Sequence, residues 1–141
     1  MRKIELEVDL FGSPEGVALS EAALRHFLEG LTLANQAYLR THPDCPHPYN
    51  VAGLQWEMEP IGQEDWQSIP YILERKRADC EDLACYLAAW HRERNGIAAI
   101  PDFTHRDVRE PTTGGMVSLY HIVVRHPDGR IEDPSRKLGM R

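Results

Sequence analysis

The seven residues Ala78-Asp79-Cys80-Glu81-Asp82-Leu83-Ala84 constrain the fold more tightly than any other stretch of the chain. They read as the capped start of a helix. Asp79 suits the N-cap, because its carboxylate can accept from one of the backbone N–H groups that a first turn leaves without a partner. Asp82, three residues on, completes a variant of the capping box. Asn95-Gly96 supplies the stop, since Gly takes the left-handed conformation just past a last turn without steric cost. A helix over 80–95 follows, with Leu83, Ala84, Leu87 and Trp90 facing inward. Cys80 is its first residue, on the same side as Ala84 and Leu87. A thiol there lies at the positive end of the helix dipole, which favours the thiolate, the nucleophilic form. Against this stands the commoner role of a free cysteine, which is to pack, and packing is what the pattern predicts for Cys85.

The rest of the composition narrows the classes of function. A chain of 141 residues, 42% hydrophobic and 27% charged, is expected to fold as one domain over residues 1–141. A net charge of −6 argues against a nucleic-acid or anionic-membrane surface as the main partner. No apolar run approaches the length of a membrane span, and the first ten residues alternate charged and apolar rather than forming a signal peptide. Three cysteines, an odd count, do not suggest a disulfide framework. A cytoplasmic, reducing setting fits, in which Cys80 remains a free thiol.

Along the chain, residues 3–10 alternate as a half-buried strand, and Gly12 through Gly16 read as a turn. Ser20 is expected to cap a helix running to about Thr41, with Leu24, Phe27, Leu28, Leu31 and Tyr38 as its buried stripe. Residues 42–48 form a proline-rich tract. His42, Cys45 and His47 in it read either as metal ligands or as parts of a rigid connector; without a fourth clear ligand, the connector is favoured. Residues 49–58 carry a weak strand pattern. A short helix opens near Pro70, burying Ile69, Ile72 and Leu73, with Lys76 and Arg77 at its C-terminal end. Residues 97–101 and 116–125 read as strands, and the polar stretch between them, with Gly114-Gly115, as a mobile loop.

The last strand leads into His126-Pro127-Asp128-Gly129-Arg130. Pro-Asp-Gly suits a three-residue hairpin loop, a type I turn closed by Gly in the left-handed position. In that register His126 faces Arg130 and Val123 faces Asp133. His121, Val123 and Asp133 then share one face, and His121 lies diagonal to Asp133. A carboxylate accepting from one imidazole nitrogen leaves the other free to act on a thiol. His126 is expected to face away. His26, His42, His47, His91 and His105 show no equivalent partner in the pattern.

With these residues in view, the chain resembles the transglutaminase-like superfamily, and within it the bacterial transglutaminase-like cysteine proteinases. The resemblance spans Trp66 to Pro134. It rests on Trp66-Gln67-Ser68-Ile69-Pro70, on Ala78 through Ala84, on Tyr120-His121-Ile122-Val123, and on Asp128-Gly129 through Glu132-Asp133-Pro134. The family pattern is a Trp and a Pro, then Gly-Asp-Cys-Glu-Asp-x-Ala, then a histidine strand and an aspartate; Ala78 stands where the family usually has Gly. The resemblance implies Cys80 as nucleophile, His121 as general base and acid, and Asp133 as the orienting carboxylate. The N–H of Cys80 is a natural oxyanion donor at a helix start. Trp66 either lines the site, donates its indole N–H, or packs in the core. Some relatives bind calcium near this motif, but capping and solvation account for Asp79, Glu81 and Asp82, so no metal and no cofactor are expected.

The expected fold is α+β, a papain-like or transglutaminase-like core of helices packed on an antiparallel sheet. The expected function is cysteine-dependent acyl transfer at an amide of a protein or peptide substrate, chiefly hydrolysis of a peptide or isopeptide bond through a thioester. The alternative is a non-catalytic assembly or binding module that keeps such a fold, for instance in a phage-type particle. Substrate identity and oligomeric state are not legible in the sequence.

Overall fold

A computed structural model describes residues 14–60, 64–109 and 111–141. The strand expected over 3–10 lies outside them. The described residues form an α+β arrangement. A long helix α1 (Pro14–Thr41) leads through a 3-10 turn (Pro48–Asn50) and a short strand β1 (Gln55–Trp56) to helix α2 (Ile69–Arg75). Strand β2 (Arg77–Ala78) runs directly into the central helix α3 (Cys80–Asn95). Strands β3 (Ile100–Arg109), β4 (Met116–Arg125) and β5 (Ile131–Glu132) follow, and then α4 (Pro134–Lys137).

The central helix starts and stops where the cap residues require. Asp79 and Asp82 form the reciprocal capping box, and Gly96 takes the left-handed conformation at φ 63°. Between these ends α3 is apolar on all sides: Leu83 through Ala89 are each wholly buried. A helix of that kind needs cover all round. Ala84, Cys85, Leu87 and Ala88 pack with Leu28 of α1 and with Phe103, Ile122 and Val124 of the sheet. Leu83, Tyr86 and Ala89 pack on the opposite side with Leu39, Ile69 and Ile72. Small side chains at 84, 88 and 89 let both layers approach closely.

α1 begins at Pro14, not at Ser20. Pro at a first helical position costs no hydrogen bond, so the expected turn is absorbed into the helix from residue 14 on. Its stripe is less apolar than expected. Leu28 and Leu39 are buried, Phe27 is 37% exposed, and Thr32 and Asn35 are buried in the stripe instead. Each makes a hydrogen bond, and Asn35 Nδ2 has no partner among the described residues. Thr32 Oγ1 donates to the Leu28 carbonyl at 2.8 Å, and Asn35 Oδ1 accepts from the Ile69 N–H at 2.9 Å. Asn35 thus caps α2 from a neighbouring helix, while the N-cap Ser68 makes no side-chain bond of its own.

The three-stranded sheet is antiparallel in the order β3-β4-β5, and β1 and β2 form a separate parallel pair. β3 runs ten residues and pairs with β4 from Ile100–Arg125 to Arg109–Met116. The mobile loop expected there is therefore mostly strand. Its polar residues mask the strand pattern because they lie on a solvated edge, and pairing with β4 outweighs intrinsic preference. The hairpin follows the expected register: Val124 faces Glu132, Arg125 faces Ile131, and the His126 N–H donates to the Arg130 carbonyl at 2.9 Å. No helix of the described residues is long and apolar enough to cross a membrane.

Candidate active site

The β1–β2 pair clamps the chain just before Cys80. Trp56 pairs with Ala78, and the Glu57 N–H donates to the Ala78 carbonyl at 3.0 Å. Ala78 is buried in extended backbone, so a Cβ is accommodated where the resembled family usually has Gly. Asp79 also accepts from the Cys80 N–H at 2.6 Å, the Trp56 indole at 3.2 Å and the Glu59 N–H at 3.1 Å. Asp82 accepts from the Asp79 N–H at 3.2 Å and from the Gln67 N–H at 2.6 Å. The cap thus ties together three segments that are distant in sequence. It also corrects one expectation: the Cys80 N–H is occupied by Asp79 and is not available as an oxyanion donor in this state.

Cys80 is half-buried, whereas Cys45 and Cys85 are buried. It packs against the buried cluster that includes Ala84 and Ile122. The thiol donates to Glu81 Oε2 at 3.3 Å, and the Ile122 N–H points at the sulfur. Burial, and then the Glu81 and Asp79 carboxylates, push the thiol far above its ordinary range, with the Ile122 N–H opposing. The expected preference for thiolate is thus reversed at rest. A helix dipole amounts to about half a charge at its N-terminus, and burial together with the neighbouring carboxylates outweighs it. Glu81 is only 5% exposed and is itself raised to about 7 by burial and by Asp79. Its Oε1 has no hydrogen-bond partner among the described residues.

The hairpin register brings His121 and Asp133 together as expected. His121 Nε2 meets Asp133 Oδ2 at 2.8 Å, and both side chains are partly open, at 27% and 19%. Asp133 also caps α4 by accepting from the Arg136 N–H at 3.2 Å, and it meets Arg136 Nε at 3.3 Å. These contacts hold the carboxylate still. His121 Nδ1 has no hydrogen-bond partner among the described residues. No hydrogen bond joins His121 to Cys80 there either; the sulfur meets the backbone of the next residue, Ile122. The His121–Asp133 contact is thus formed, while the Cys80 thiol is turned to Glu81.

Trp66 is half-buried, stacks edge-to-face on Phe27 with ring centroids 6.0 Å apart, and shares the apolar cluster around Cys80. Its side chain hydrogen-bonds to Glu64. Its N–H is thus engaged. The proline-rich tract disperses its three candidate ligands. His42 stacks on Tyr38 at 3.8 Å, Cys45 meets the Tyr86 hydroxyl at 3.3 Å, and His47 accepts from the Tyr49 N–H at 3.1 Å. Among the described residues, three other groups bring metal-binding atoms together: Asp79, Cys80 and Glu81; Glu59, Glu64 and Glu81; and His91, His126 and Glu132.

The last group corrects two expectations. His126 does not face away: it is 4% exposed, and its Nε2 meets Glu132 Oε2 at 2.8 Å. His91 has a carboxylate partner after all, the same Oε2 at 3.0 Å. The signal was present in the hairpin register. Side chains alternate, so His126 and Glu132 share the face of Val124, and that face is core. No family model matches the chain, no curated protein matches it, and no solved structure matches it.

Proposed function

We propose that the domain carries out cysteine-dependent acyl transfer at an amide, with Cys80 as nucleophile, His121 as general base and acid, and Asp133 as the orienting group, in a papain-like arrangement. The observation that carries this reading is the His121–Asp133 bond at 2.8 Å, with Nδ1 left free and the Cys80 sulfur against the adjacent Ile122 N–H. Asp133 accepts from Nε2 and so favours the tautomer with a lone pair on Nδ1. In this reading the thiol must turn away from Glu81 and meet that lone pair. Nδ1 takes the thiol proton, the sulfur attacks the carbonyl carbon, and the amine leaves with the proton from His121. Water then hydrolyses the thioester, and the acid is released. An amine in place of water gives a cross-link. A protein or peptide substrate in a cytoplasmic setting fits this reading, and peptide or isopeptide hydrolysis is its preferred form.

A second reading draws on the resting thiol. A sulfur held protonated among carboxylates, with the Cys80 N–H already engaged, suits a silent relative that serves as an assembly or binding module. Labelling separates the two. A peptide electrophile should modify Cys80 at neutral pH, and His121→Ala should slow the reaction about a hundredfold, within the range usual for general-base assistance. Equal rates in both proteins, measured by mass spectrometry of the intact chain, would favour the module.

A further inference from the structure

We propose that His91, His126 and Glu132 form a binding site for a divalent transition metal of the zinc class. The three potential ligand atoms lie within 4.8 Å of one another, and Glu132 Oε2 is 2.8 Å from His126 Nε2 and 3.0 Å from His91 Nε2. Two imidazoles and one carboxylate suit a borderline metal, with a fourth position left for water. The ligands come from three elements: the last turn and a half of α3, the residue that closes β4, and β5. Each is rigid and buried or half-buried. The carboxylate already points both rings inward by their Nε2 atoms, so binding needs no search through rotamers. Zinc–ligand bonds of about 2.0–2.1 Å set tetrahedral ligand atoms roughly 3.3 Å apart, so Glu132 Oε2 moves from each ring nitrogen by a few tenths of an ångström.

The surroundings support two ligands and resist the third. The Tyr49 hydroxyl donates to Glu132 Oε1 at 3.0 Å, which leaves Oε2 for the metal. Asn95 Nδ2 lies 3.2 Å from His91 Nδ1, and turning the amide over presents its oxygen to an Nδ1–H. At His126 the neighbour is Arg130 Nη2, 3.3 Å from Nδ1. Arginine only donates, so it holds His126 as the Nε2–H tautomer. Metal binding moves each ring's proton from Nε2 to Nδ1, and no net proton leaves. Arg130, exposed on the hairpin loop, must then swing aside. This mismatch makes Arg130 the residue that sets the affinity. The site lies on the face of β5 opposite Asp133, so it does not rest on the proposed acyl transfer.

Titration of the metal-free full chain with Zn2+ by calorimetry, and with Co2+ by absorption, tests the site. One equivalent should bind with a Kd at or below about 10 μM. The cobalt spectrum should lack a sulfur charge-transfer band, and Cys80→Ser should leave binding intact. His126→Ala and Glu132→Gln should each weaken binding about a hundredfold, and Arg130→Gln, which offers Nδ1–H an acceptor, should tighten it about tenfold. The exposed Arg130 variant keeps the test informative should a core variant fail to fold. Absence of stoichiometric binding, a sulfur band lost in Cys80→Ser, or an affinity unchanged or weakened by Arg130→Gln would overturn the proposal.

Discussion

Glu132 and Asp133 are neighbours on one short strand end, and each holds histidine, yet the two arrangements differ in kind. Asp133 holds one partly open imidazole and leaves its second nitrogen free. Glu132 faces the core and accepts from Tyr49, His91 and His126 together. Burial works to raise the Glu132 carboxyl, but those hydrogen bonds outweigh it and hold the group below its ordinary value. His91 Nδ1 and His126 Nδ1 also have neighbours, Asn95 and Arg130. A pair with an unclaimed nitrogen can move a proton; a cluster with all its nitrogens engaged fixes a strand. Alternation along one strand is enough to separate the two roles.

Substitutions should break the comparison unequally. The largest loss of stability is expected for Glu132→Ala, about 3 kcal/mol, because three partly or wholly buried donors lose their acceptor together. Asp133→Asn should change stability by no more than about 1 kcal/mol, with Cys80 labelling as the affected readout. Chemical denaturation of both variants would check the contrast. Similar losses in the two would mean that Asp133 is chiefly a structural cap for α4.

Electrostatics beside the thiol supply the next effect. Glu81→Gln removes the largest charge that raises Cys80, so labelling at pH 7 should speed up several-fold, with each unit of thiol pKa equivalent to about a tenfold change in thiolate. The same carboxyl sets a stability trend. Its folded value, about 7, is above its ordinary value, so the folded chain binds the proton more tightly than the unfolded chain. That contribution to stability is present in acid and is lost as pH rises through about 7. Melting temperature measured from pH 5 to 8 should therefore fall more steeply in the wild type than in Glu81→Gln. A slope that is identical in both would remove Glu81 as the cause.

The smallest effect is expected at Asn35. Asn35→Ala takes the cap from α2 and should cost about 1 kcal/mol. It should leave labelling of Cys80 unaltered, since α2 carries none of the three proposed catalytic groups.

Much of this layout could be read from local chemistry. The cap residues Asp79, Asp82 and Gly96 place α3, and Pro-Asp-Gly sets the hairpin register that joins His121 to Asp133. Both are short-range rules with fixed geometry. What the sequence hid depends on distant partners. The polar face of β3 obscures a strand that its neighbour stabilises, and the role of Asn35 depends on the distant Ile69 N–H. The resting state of Cys80 was misread for a related reason. The dipole is visible in the pattern, but the burial that gives Glu81 and Asp79 their influence comes only with packing. His126 was misread although its register was correct, because the alternation was followed on the His121 face and not on the core face.

The central claim, that Cys80, His121 and Asp133 act as one device, is tested most directly by a double-substitution cycle. The rate of Cys80 labelling by a peptide electrophile would be measured at neutral pH in the wild type, His121→Ala, Asp133→Asn and the double variant. If Asp133 works through His121, both single variants are slow and the double variant is no slower than His121→Ala alone. Independent, multiplying effects, or four equal rates, would contradict it.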